Sequence, residues 1–97
     1  MKTIYKFNHD DNIYIGSTTN FKTRCEAHNQ HKKQDRHNKT KFYKYLNNNG
    51  ITDCRLFMNI LQEIDDDNLT KEELRNIEQD FLDEIKPNLN MIKAIRR

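Results

Sequence analysis

The sequence predicts an α+β fold, with a small central antiparallel sheet of three strands flanked by three helices in the order β-β-α-α-β-α. Three observations lead there. Short runs of strand-like alternation stand at residues 3–7, 13–17 and 55–61. Apolar residues recur at helical spacing in two later stretches: Phe42, Tyr45 and Leu46, then Leu74, Ile77, Phe81, Leu82 and Ile85. No internal repeat or long linker interrupts the 97 residues, so they read as a single domain, 1–97, with a thin core. One antiparallel sheet covered by helices is the economical way to bury those faces.

Taken in order, Thr3 to Phe7 forms the first strand, with Tyr5 and Phe7 on one face and Ile4 and Lys6 on the other. Asn8 to Asn12 is a polar turn of residues that tolerate left-handed backbone. Ile13 to Ser17 returns antiparallel, and its Gly16 belongs where the chain turns sharply or a ligand nears the backbone. Asn20 caps a helix reaching about His31. Phe21, Cys25 and Ala27 face inward on it, with Arg24 and His28 on a neighbouring stripe. A basic loop over 30–39 leads to a second helix over about 40–49, stopped by Gly50. The third strand, Arg55 to Leu61, places Leu56, Met58 and Ile60 on one face and Phe57 on the other. After the acidic loop 65–68, Thr70-Lys71-Glu72-Glu73 is a capping box for a helix that runs to about Ile85 and ends before Pro87. Residues 88–92 read as a short strand or coil.

Composition narrows the function. The net charge of +2 hides two opposed segments. From Lys22 to Lys44 there are eight basic residues against two acids, with three histidines among them; from Leu61 to Lys86 there are ten acids against three bases. A basic first half suits a polyanion, although it also suits a helical protein whose halves attract each other. No apolar run reaches the roughly 18 residues a membrane span needs, and the start lacks an apolar signal region. An intracellular protein, in cytoplasm or nucleoid, is therefore expected. Cys25 and Cys54 lie far apart with no motif and read as reduced thiols. Cys25, His28 and His31 offer metal ligands at i, i+3 and i+6, but the paired second half of a structural zinc site is missing.

The chemistry-bearing residues gather around one strand-to-helix junction. Tyr14 stands on the second strand, Gly16 at the turn, and Arg24 and His28, four apart, on one face of the following helix. Tyr5 on the paired strand brings a second phenol. A phenol has a pKa near 10, so it is a poor base at pH 7 without a cation or a metal-bound hydroxide beside it. Packed strand aromatics would look the same. Arg24 has the bidentate fork that suits a phosphate, and Glu78 follows Ile77 and precedes Phe81 on the apolar side of an otherwise acidic helix.

Thr3-Ile4-Tyr5 and Tyr14-Ile15-Gly16 resemble the two elements of the GIY-YIG nuclease family, and the resemblance covers nearly the whole chain, with the phage homing-endonuclease branch the nearest in style. It implies a central three-stranded antiparallel sheet and a metal-dependent endonuclease that cuts DNA to leave 5′-phosphate and 3′-hydroxyl ends. It also implies a role for each matching residue. Tyr5 and Tyr14 match the catalytic tyrosines and Arg24 the catalytic arginine. His28 matches a position held by histidine or tyrosine, and His37, across a loop of variable length, a further functional histidine. Glu78, followed three residues later by an aromatic, matches the single glutamate that holds Mg²⁺ or Mn²⁺ with phosphates and waters. Asn90 matches a positioning asparagine. Lys22, Lys32, Lys33, Arg36, Lys39 and Lys41 are the expected backbone contacts. Thr3 stands where the family usually has glycine, and Ser17 where some relatives carry lysine. Either a dimer or a separate targeting protein is expected to supply specificity. The rival readings are a nucleic-acid-binding module of the same fold without chemistry, and a structural adapter.

Overall fold

The computed structural model describes residues 2–33 and 40–90. His37, Arg36 and Lys39 lie outside them. The expected architecture is found: strands β1 (Lys2–His9), β2 (Asn12–Thr18) and β3 (Met58–Ile64), and helices α1 (Phe21–His31), α2 (Lys41–Asn48) and α3 (Lys71–Ile85), in the order β-β-α-α-β-α. The sheet runs β2-β1-β3 and is antiparallel throughout.

The hairpin is tighter than the sequence suggests. Asp10 and Asp11 both take positive φ, 51° and 66°. A two-residue turn of that kind matches the right-handed twist of the flanking strands, so pairing continues to His9 and Asn12. The caps fall where expected. Asn20 Oδ1 accepts from Thr23 N at 3.1 Å, and Thr70 and Glu73 exchange both bonds of a capping box, at 3.1 and 2.8 Å. α3 stops at Lys86, which is left-handed at φ 54°, just before Pro87.

The third strand is a correction. It begins at Met58, three residues later than expected, because Cys54–Phe57 forms a 3₁₀ turn capped by Asp53 Oδ1 on Arg55 N at 3.1 Å. Leu56, expected on the apolar face, is 76% exposed in that turn. The register then slips between Ile4 and Tyr5: Ile4 pairs with Gln62 but Tyr5 pairs with Ile60. Leu61 is the extra residue, and such a bulge inverts the alternation. Leu61 and Ile64 therefore pack inward while Ile60 is exposed.

Two apolar clusters back onto the sheet. On one face Ile4, Ile15, Leu74 and Leu82 join α3 to β1 and β2. On the other, Phe7, Phe42, Tyr43, Leu46 and Cys54 join α2 and the 3₁₀ turn to β1. Each large side chain so buried contributes about 1.5–3 kcal/mol. Past Pro87 the chain returns along the free edge of β2. Asn88 Oδ1 accepts from Ile13 N at 2.8 Å, Leu89 N donates to Ile13 O at 2.9 Å, and Asn90 accepts from Ile15 N and donates to Ile15 O, both at 2.8 Å. Two side-chain amides thus act as a strand and satisfy backbone groups that an open edge would leave bare. Cys25 and Cys54 are buried free thiols, as expected, and burial pushes Cys54 up to about 12. Among the described residues no helix is long and apolar enough to cross a membrane.

Candidate active site

Strand alternation places Tyr5 on β1 and Tyr14 on β2 on the α2 side of the sheet, with ring centroids 6.4 Å apart. Tyr14 stacks flat on Phe42 of α2 at 4.1 Å. Tyr5 lies across Gly16, and a Cβ added there would overlap its hydroxyl oxygen. The glycine is required by this close approach rather than by a turn.

α1 brings His28 and Arg24 over these rings. His28 is fully buried, and both ring nitrogens are engaged: Nε2 with the Tyr5 hydroxyl at 2.8 Å and Nδ1 with the Tyr43 hydroxyl at 2.7 Å. Arg24, half-buried, stands within hydrogen-bonding reach of both Tyr5 and Tyr14. A guanidinium can only donate, so the Tyr5 oxygen accepts from it. A phenol both donates and accepts, so the Tyr5 and Tyr43 hydroxyls bracket the imidazole from its two ring nitrogens. Burial, aided by the Arg24 charge, pushes His28 down to about 3, so the ring is neutral. Burial likewise drives the phenols of Tyr5 and Tyr14 upward, against the pull of Arg24, and Tyr43 up to about 12. All three phenols are protonated at neutral pH. His28, read from sequence as either a phosphate ligand or a tuner of a phenol, is placed for the second role.

Glu78 arrives from the other side of the sheet. It accepts from Ser17 Oγ at 2.5 Å. Partial burial raises its pKa, while the Ser17 bond and the Arg75 and Arg24 charges oppose the rise. Ser17, Thr18, Thr19, Arg24, Lys71, Leu74, Arg75 and Glu78 line an open cleft of ≈ 370 Å³. Arg24 belongs to this cleft and to the phenol cluster, so it links the two halves. Asn90 touches no reacting group; its paired bonds to Ile15 fix the backbone between Tyr14 and Gly16.

Glu78 and the Ser17 hydroxyl bonded to it offer oxygen donors, which suits a hard cation such as Mg²⁺. Among the described residues no group of three His, Cys, Asp or Glu could hold a metal, which leaves the Cys25–His28–His31 constellation without support. A divalent ion on Glu78 would take most of its ligands from phosphate and water.

Of the expected backbone contacts, Lys22, Lys33 and Lys41 are exposed. Lys32 is a correction: it is 7% exposed, and its ammonium donates to Ile51 O at 2.5 Å. It ties α1 to the α2–3₁₀ connection and is withdrawn from the surface. Tyr43 was not anticipated. Its signal was its place in the helix beside Phe42, where the apolar spacing named only Phe42, Tyr45 and Leu46. Lys71 and Arg75 were also missed, because they lie in a segment dominated by acids.

Sheet, cluster and cleft together are those of a small nuclease domain. Residues 1–90 match the family model of the GIY-YIG catalytic domain, and the chain belongs to the GIY-YIG family. No curated protein and no solved structure matches it.

Proposed function

We propose that the protein is a metal-dependent endonuclease that hydrolyses phosphodiester bonds in DNA, leaving 5′-phosphate and 3′-hydroxyl ends. The observation that carries this reading is Arg24, flanked by two phenols on one side and by Glu78 on the other. Hydrolysis needs a base for water and positive charge for the phosphate, and the phenols and Arg24 support that reading as candidates for the two roles.

Neither phenol is a standing phenolate, so a proton must leave the pair as the water's proton enters it. Tyr5 and Tyr14 take the water proton together, and Tyr5 passes its own to His28 Nε2. The Nδ1 proton moves to the Tyr43 oxygen, and the Tyr43 hydroxyl proton is released to solvent. The imidazole ends neutral, as its buried site demands. Arg24 holds the phosphate oxygens and meets the charge that grows on them. Glu78 would hold Mg²⁺ or Mn²⁺, which supplies Lewis-acid stabilisation of the leaving oxygen.

The test is nicking of supercoiled plasmid with Mg²⁺, with Mn²⁺ and with chelator. The expected outcome is metal-dependent nicking that falls at least a hundredfold in Tyr5→Phe and in Glu78→Gln. Unchanged nicking in both variants would sink the assignment.

A further inference from the structure

α3 is acidic, yet its cations are not scattered. At roughly 100° per residue, Lys71, Arg75 and Glu78 fall within about 60° of one another, whereas Glu73, Asp80, Asp83 and Glu84 lie on the far side, with Glu72 between the two groups. The face with the cations is the one that lines the cleft beside Arg24. Three features make this placement unlike a solvated helix face. Lys71 and Arg75 are four apart, a like-charge spacing that weakens a helix. Both lie in its first turn and a half, where the helix dipole disfavours cations. Among the described residues neither closes an ion pair.

We propose that Lys71 and Arg75 form a second phosphate-binding wall. It faces Arg24 across the cleft and grips the sugar–phosphate backbone of the strand on the α3 side of Glu78. This rests on the nucleic-acid reading above, and it adds a contact surface to the basic stretch from Lys22 to Lys44. The substrate strand would then be held from both sides of the sheet end, with Glu78 at the bottom of the cleft between cations.

The test compares the full chain with Lys71→Gln/Arg75→Gln, which keeps side-chain length, and with Arg55→Gln/Lys86→Gln, which removes the same charge elsewhere. Binding of a short DNA duplex is measured in chelator across a salt series, beside nicking with protein in excess. The proposal expects the α3 variant to bind roughly tenfold more weakly, with the salt slope reduced by about 2. Its thermal melting should match the control variant's, so that the weaker binding is not a loss of fold. An affinity and slope matching the Arg55/Lys86 control would overturn the wall, as would a parent protein that binds no duplex. A parent that binds but does not nick would count against the endonuclease alone. In that case a weakened, flatter binding curve for the α3 variant would still support the wall.

Discussion

The Tyr5 hydroxyl passes so close over Gly16 that even one methyl group there has no room. The neighbour is the end of a buried ring pinned by His28, so Gly16→Ala must push the phenol off Nε2. We expect a loss of about 1–3 kcal/mol in unfolding free energy and of most nicking activity; normal melting with full activity would contradict this geometry. His28 gives a second residue-scale prediction. Its pKa is about 3 in the fold and near 6.5 in an unfolded chain, so between those values the unfolded state binds the extra proton. Stability from this group is complete above pH 6.5 and declines as pH falls toward 3, by about 1.4 kcal/mol per pH unit in that window. Glu78, with a raised pKa, acts in the opposite sense, so the useful quantity is the difference between the parent and His28→Gln. That difference should shrink steadily below pH 6.5 in denaturant titrations. Most of this constellation was legible in the sequence, because strand parity and helix spacing already bring Tyr5, Tyr14, Arg24 and His28 together. Tyr43 was not legible, since its role depends on how α2 lies against α1, and no local pattern encodes that angle.

The elements show where local pattern suffices and where it does not. Caps are local, so Asn20, Thr70 and Glu73 could be read in advance. The β3 bulge is a property of two strands paired across more than fifty residues, and a single strand's alternation cannot announce it. The segment after Pro87 reads from sequence as strand or coil, and the spending of its side-chain amides on the β2 edge is what local pattern does not announce. Asn90→Ala removes both bonds to Ile15 at once. It should cost about 1–2 kcal/mol and speed hydrogen exchange of the Ile15 amide while leaving Phe7, in the central strand, protected. Unchanged Ile15 exchange would mean that the edge is held by something other than this residue.

In the molecule as a whole, the site straddles the end of the sheet. The phenols and His28 belong to the α2-side core, and Ser17 and Glu78 to the α3-side core. The two cores share β1 and β2 as a common wall, so neither layer is expected to melt alone. All 4 tyrosines lie on the α2 side and there is no tryptophan. Tyrosine fluorescence therefore reports one face, while far-UV circular dichroism reports all helices. Leu82→Ala, on the α3 side, should cost about 2–4 kcal/mol and shift both signals together. An earlier fall in circular dichroism would show that α3 opens by itself and that Glu78 is only loosely tied to the phenols.

The order of the chain adds a consequence in time. Tyr5, Tyr14, Arg24 and His28 all lie at or before position 28, but Glu78 and the Asn88–Asn90 strap follow 50 or more residues later. A nascent chain still attached to the ribosome holds its phenols without the carboxylate and without the amides that fix Ile15. The site is therefore assembled only when the second half of the domain folds onto the first.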